Sequence, residues 1–230
     1  MTPGRLEKIL TALAARYDPI TPEPLNGPFE MIVWEAVAYL QPDERRREAF
    51  EMLRARVGLT PAAIRSASLR TLREITRHGG SIAHEDRADR LKTSAELARA
   101  WNDRLDDALK LPLPMAKKAL MEYPMIGEPG AEKILLFTRA HPVLALDSNG
   151  VRTMVRLGLG EEKKSYSATY RSVREATLDE APHDCDSLIQ AHLLLRRHGQ
   201  EVCRRSAPVC VACAVTQHCH WYRDRVAVRP

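Results

Sequence analysis

Four cysteines lie in the last thirty residues, Cys203, Cys210, Cys213 and Cys219, spaced C-x6-C-x2-C-x5-C, while Cys185 stands apart. Four thiolates this close along the chain suit closure of a tetrahedral zinc or an iron–sulfur site. Zinc ribbons usually pair one C-x2-C with another, and only one such pair occurs here. A second chemical candidate is Asp147, which follows an apolar stretch and precedes a helical pattern. That position makes it a natural N-cap, and a carboxylate held at a helix start beside a cleft can also aim its charge at a substrate. A third is the turn Tyr123-Pro124-Met125-Ile126-Gly127-Glu128-Pro129-Gly130. Glycines at 127 and 130 let backbone come close to a ligand, and the amides that open the next helix face outward as anion donors. An ordinary helix–turn–helix connection, with glycines serving only the turn, explains the same residues.

The elements that must position these groups read as helices. Residues 5–16 place Leu6, Ile9, Leu10, Leu13 and Ala14 on one face with a 3.6 period. Residues 29–40 form an apolar, central helix. Pro42-Asp43-Glu44 opens another that stops near Gly58. Thr60 caps the next with Pro61 in its first turn. Shorter helices are expected over 68–77, 115–122 and 131–139, and a longer one over 83–101. No segment shows a convincing period of two, so the fold class is all-α.

Composition narrows the function. The chain has 230 residues and a formal net charge of +5, compatible with nucleic acid without establishing it. Residues 1–10 are polar and charged, unlike a signal peptide, and no run is long and apolar enough to span a membrane. The expected location is therefore cytoplasmic, in a reducing compartment where clustered cysteines serve metals better than disulfides.

Taken together, residues 124–156 and the cysteine loop resemble the helix-hairpin-helix DNA glycosylases of the endonuclease III type. Those proteins show L-P-G-V-G-x-K, then V-D-x-x-V-x-R-V, then a four-cysteine loop. Here the matching stretches are Tyr123 to Gly130, then Leu146-Asp147-Ser148-Asn149-Gly150-Val151-Arg152, then Arg156-Leu157-Gly158-Leu159, with His198-Gly199 before Cys203. The likeness covers roughly residues 28–225. It implies two helical domains with a DNA-binding cleft between them: a helical barrel ending in the hairpin (28–141), and a discontinuous cluster domain (1–27 and 142–230). It also implies a [4Fe–4S] cluster on Cys203, Cys210, Cys213 and Cys219. The partner would be duplex DNA carrying a damaged or mismatched base, bound by a monomer associated with the nucleoid. Asp147 would be catalytic. Gln41, Met125, Gly127, Gly130, Lys133, Asn149 and Arg152 would meet DNA, Gln41 as the wedge that fills the gap left by a flipped base. The sequence ends soon after the cysteines, so no appended lesion-checking domain is expected.

The hairpin departs from the family pattern. Pro129 stands at the lysine position, and proline has no primary amine to form the imine needed for strand cleavage. Met125 replaces the first hairpin glycine. The expected activity is hydrolytic: base removal by a monofunctional glycosylase. A lyase using another amine such as Lys133, and a damaged-DNA-binding protein without efficient catalysis, are the alternatives.

Overall fold

The computed structural model describes residues 4–225, and among these no strand occurs. In chain order the helices are α1 (Arg5–Arg16), α2 (Gly27–Val37), α3 (Asp43–Arg56), α4 (Pro61–Ser66), α5 (Leu69–His78) and α6 (His84–Leu97). They continue with α7 (Asp106–Leu109), α8 (Leu113–Met121), α9 (Glu128–Phe137), α10 (Ser148–Leu157), α11 (Tyr166–Thr177), α12 (Cys185–Glu201) and α13 (His220–Arg225). No helix among the described residues is long and apolar enough to cross a membrane.

The chain divides into two units. One is Pro24–Ala140; the other takes the chain up to Glu23 together with the chain from His141 on. The sequence places these boundaries at 27/28 and 141/142.

The continuous unit, α2 to α9, is built around α2, whose Phe29, Val33, Trp34 and Val37 are buried against Phe50, Leu53, Ile64, Leu72, Ile75 and Leu91. Trp34 meets Phe50 edge-to-face, with ring centroids 5.3 Å apart. Each such side chain contributes about 1.5–3 kcal/mol by leaving water, so Phe50→Ala would cost about 3–5 kcal/mol. Thr60 caps α4 through Ala63 N, and Ser68 caps α5 through Thr71 N.

Several boundaries differ from the sequence reading. The central helix stops at Val37, three residues early, because Ala38 is extended and Leu40 turns left-handed at φ +51°; Pro42 also disfavours helical backbone at Gln41. The long helix expected over 83–101 is α6 followed by a 3₁₀ turn at Ala98–Trp101. It ends where Asn102 and Asp103 both take positive φ, and Asp103 grips the Arg65 guanidinium at 2.8 and 2.6 Å. The hairpin turn is shorter than expected, because α9 already starts at Glu128.

In the split unit, α10 and α12 lie so close that only glycine fits at Gly199. A Cβ there would stand 2.7 Å from the Asn149 carbonyl oxygen. Leu6, Ile9 and Leu13 form the buried face of α1. Arg5 donates to the carbonyls of Leu157, Gly158 (3.4 Å) and His218 (2.8 Å), satisfying carbonyls that the end of α10 leaves without partners.

Candidate active site

Asp147 is the N-cap of α10. Its Oδ1 accepts from the backbone N–H of Asn149 (3.0 Å) and Gly150 (2.8 Å), closing two amides the helix cannot satisfy itself. Its Oδ2 accepts from Asn149 Nδ2 at 3.1 Å and pairs with Arg196 Nε on α12 at 3.3 Å. The carboxylate is thus held from both sides while its side chain keeps 25% of its surface exposed. Fixed orientation with a solvent-facing edge is what a charge-stabilising group needs, since it then has little reorganisation to undergo during reaction.

Behind Asp147 runs a relay of hydrogen bonds. Asn149 Oδ1 accepts from Arg152 Nη2 at 2.9 Å. The same guanidinium donates to the carbonyls of Gly199 (2.7 Å) and Cys203 (3.0 Å). Arg152 and Asn149, expected to meet phosphates, therefore spend these donors inside the unit, and Arg152 joins the start of α10 to the first cysteine of the loop. Burial holds the Arg152 guanidinium below its usual range, opposed chiefly by Cys203.

The cysteine loop is stapled to α10 by Arg156. Its Nη1 donates to the carbonyl of Arg204 (2.7 Å) and to Cys203 Sγ (3.4 Å), its Nη2 donates to Arg205 (3.0 Å), and its guanidinium stacks over Trp221 at 5.1 Å. Tyr222 N–H donates to Cys219 Sγ at 3.4 Å, and His198 Nε2 lies 3.5 Å from Cys213 Sγ. Burial, then the other three thiols, pushes Cys213 up to about 11, with the Val215 amide pulling the other way. Cys210 and Cys219 are also raised, by burial first and neighbouring thiols after it. The four sulfurs therefore feel one another. Ionising them together requires a cation among them, and the N–H groups aimed at Cys203 and Cys219 suit thiolate acceptors. The donor set fits a cationic cluster in its chemistry. Among the described residues, however, no three or more Cys, His, Asp or Glu side chains already stand in a metal-holding group. Cys185 is separate, the first residue of α12.

The hairpin belongs to the continuous unit. Ile126 N–H donates to the Tyr123 carbonyl at 3.1 Å across Pro124-Met125, and Met125 takes φ +73°. Proline second and positive φ third is the turn geometry that favours glycine at the third place. Met125 sustains it, at about 1–2 kcal/mol of strain, and packs its side chain against the unit's core. Gly127 is extended (φ −86°) and Gly130 lies in the first turn of α9. A Cβ would meet nothing closer than 3.9 Å at Gly127 or 3.5 Å at Gly130. Neither glycine is demanded by conformation, and Gly127 leaves an open surface.

Glu128 at the start of α9 is bonded to Lys117 at 2.6 Å, and Lys117 also holds the buried Glu132 at 2.8 Å. Lys133, expected at DNA, is paired with Glu35 of α2 at 2.6 Å, and Arg46 approaches the same carboxylate at 3.5 Å. The half-buried Gln41 side chain lies beside Gly80, where a Cβ would come within 2.9 Å of Gln41 Cγ. The structure thus gathers Asp147, Asn149, Arg152 and the cysteine loop into one hydrogen-bonded group. It leaves Gln41, Met125 and Lys133 in separate local contacts.

Sequence reading missed Arg196, forty-nine residues from the carboxylate it orients. It also missed Tyr166, a half-exposed tyrosine within electrostatic reach of Asp147; burial and then that charge push its phenol up to about 12. No local pattern marks either residue.

The described residues thus form two helical units, one holding a helical hairpin and the other a carboxylate that caps the next helix of the chain. No family model matches the chain. An endonuclease III from Sulfolobus acidocaldarius is 27% identical over 180 residues, covering 77% of this chain and 75% of the relative. A thymine/uracil-DNA glycosylase from Pyrobaculum aerophilum is 25% identical over 170 residues, covering 74% and 70%. A solved non-covalent endonuclease III–DNA complex superposes with a TM-score of 0.77 at 19% identity, covering 97% of each chain; at that identity the likeness shows a shared fold. The chain is endonuclease III-like in sequence and fold.

Proposed function

We propose that the chain is a DNA glycosylase of the endonuclease III and thymine-DNA glycosylase kind, acting in base excision repair, and that it is monofunctional. A damaged or mismatched base is turned out of the duplex. The C–N glycosidic bond breaks, the base leaves with the electron pair, and water adds to the sugar carbon, its released proton ending on the departed base. Asp147 faces the positive charge that develops on the sugar and orients the water, as a glycosidase carboxylate does. The observation that carries this reading is the clamped carboxylate of Asp147, held by two backbone amides, Asn149 and Arg196 with one edge open.

Hydrolysis rather than lyase chemistry is supported by two facts. The hairpin position that holds the lysine in the resembling family is Pro129, and the nearby amine, Lys133, is committed to Glu35. Cys203, Cys210, Cys213 and Cys219 would hold a [4Fe–4S] cluster, which when bound supplies a fixed, positively charged core for the loop. Arg156 and Arg152 connect that loop to the helix Asp147 caps. Gly127 and the first amides of α9 would approach a phosphate, in a protein acting as a monomer on nucleoid DNA.

Single-turnover cleavage of duplexes carrying uracil, mismatched thymine or adenine, or oxidised pyrimidines tests the reading, each read with and without alkali. Strand breaks that need alkali are expected. Breaks without alkali would assign an amine to the reaction, and tight binding to damaged duplex without cleavage would leave a recognition protein.

A further inference from the structure

His198 stands in the last turn of α12, just before Cys203, and is only 1% exposed. Each of its ring nitrogens has a partner. Nδ1 lies 3.1 Å from the Tyr17 hydroxyl, and Nε2 lies 3.5 Å from Cys213 Sγ. Tyr17 is the C-cap of α1 and is itself buried; its ring meets the imidazole edge-to-face, with centroids 6.1 Å apart. The guanidiniums of Arg16 and Arg197 lie over the same phenol ring at 5.4 and 4.9 Å. The end of α1 thus reaches one cysteine of the loop through a single imidazole.

Burial and the two guanidiniums disfavour a further positive charge here, so the imidazole is neutral and carries one proton. The partners decide which nitrogen holds it. A buried phenol needs an acceptor for its O–H, and the Tyr17 hydroxyl faces Nδ1. With Tyr17 donating, Nδ1 presents its lone pair and the proton sits on Nε2, facing Cys213. The opposite order would take this acceptor from the phenol hydrogen and turn the Nε2 lone pair toward a sulfur that becomes negative as a thiolate. Both changes are unfavourable, so the chain runs from Tyr17 O–H to Nδ1 and from Nε2–H to Sγ. Sulfur is large, and 3.5 Å is a hydrogen-bonding distance for it. Two other sulfurs also meet donors, Cys203 from Arg156 and Cys219 from the Tyr222 N–H. The donor at Cys213 differs from these because its direction is set by a further residue, at the end of α1.

We infer that Tyr17 and His198 are positioning residues for the metal cluster: the Tyr17 hydroxyl fixes the imidazole with its proton on Nε2, and that N–H supports the Cys213 thiolate as a ligand. The inference rests on the proposed cluster and deepens it. Hydrogen bonds to sulfur stabilise the negative charge that a cluster ligand carries, and loss of a group that orients a ligand typically costs about ten- to a hundredfold in metal retention. Without the phenol oxygen the imidazole is free to place its proton on Nδ1, so a change made at Tyr17 reaches Cys213 through the ring.

The test uses the full chain purified with its cluster and labelled with heavy nitrogen at histidine. Protonated and unprotonated ring nitrogens resonate far apart, so the nuclear magnetic resonance spectrum reads the tautomer, and the His198 signal is the one lost in His198→Gln. The unsubstituted protein is expected to carry the proton on Nε2; a proton on Nδ1 overturns the relay. Tyr17→Phe is expected to mix the two tautomers and to release iron to a chelator about tenfold faster. His198→Leu should release it at least as fast, whereas His198→Gln, whose amide N–H stands near the Nε2 position, should keep most of the retention. Ile9→Val, which trims another buried residue of α1, is expected to hold iron like the unsubstituted protein. Equal loss by Ile9→Val and Tyr17→Phe would trace the effect to loosened packing and overturn the relay. Iron held as firmly by Tyr17→Phe and His198→Leu as by the unsubstituted protein also overturns it and leaves the cluster standing. A purified chain carrying zinc, or no iron and sulfide, overturns the cluster and the relay together. Neither readout uses base excision, so failure of the glycosylase reading is seen separately.

Discussion

The two helix starts on which the proposed chemistry depends, those of α10 and α9, are finished in opposite ways. At α10 the chain supplies its own anion: Asp147 takes the first amides, and Arg196 and Asn149 hold the carboxylate in place. At α9 the cap is Gly127, which has no side chain to offer, and Pro129 in the first turn removes a donor. The carboxylate present there, Glu128, is drawn to Lys117. The first start is a rigid charge; the second is an open surface with few amides and a negative side chain close by. The difference separates duties. Chemistry requires one group in one place, whereas backbone grip can be shared among several contacts.

The largest effect should come from breaking the α10 side. Asp147→Asn keeps a good cap but loses the charge, so single-turnover excision should fall by about a hundredfold or more. Duplex affinity and melting temperature should stay near their original values. Loss of binding in step with activity would show that Asp147 merely holds the fold. Next is Gly199→Ala, whose Cβ would press on the Asn149 backbone and wedge α12, with Arg196, away from Asp147. A destabilisation of about 1–3 kcal/mol is expected in denaturant unfolding; an unchanged midpoint would mean that the two helices separate freely.

The contrast can also be altered from the α9 side. Pro129→Lys places an amine at the start of α9, and slow strand scission without alkali, with borohydride trapping of an imine on abasic DNA, is expected where the unsubstituted protein shows none. Failure to trap would mean that the amine at 129 does not reach the sugar. The smallest effect is Glu128→Gln. Removing one negative charge beside the α9 amides should tighten duplex binding by about two- to fivefold at low salt and fade as salt rises, as read in a fluorescence-anisotropy titration. Weaker binding would show that Glu128 organises the turn instead.

Much of the fold was legible because local physics repeats along a helix. The 3.6 period of Leu6, Ile9 and Leu13, the Thr60-Pro61 start and the Asp147 cap each need only a few neighbouring residues, and the structure shows all three. Boundaries failed where a distant contact intervenes. Apolar residues run past Val37, yet the backbone turns extended at Ala38, and Arg87, fifty residues on, takes the Val37 carbonyl left open there. In the hairpin it is Met125 that carries the positive φ, with its side chain anchored on the core, which no local pattern marks.

The sequence by itself determined that the chain is helical, that four cysteines could share one site, that a carboxylate opens the helix after the hairpin, and that no amine stands at residue 129. These follow from residue type and spacing over a turn or two. Only the tertiary structure decided the direction each side chain takes. It turned Arg152 inward to Cys203, set Lys133 on Glu35, laid Gln41 beside Gly80 and brought Arg196 to Asp147. Those choices depend on partners up to about a hundred residues apart, as for Lys133 and Glu35, whose meeting is a property of packing rather than of sequence pattern.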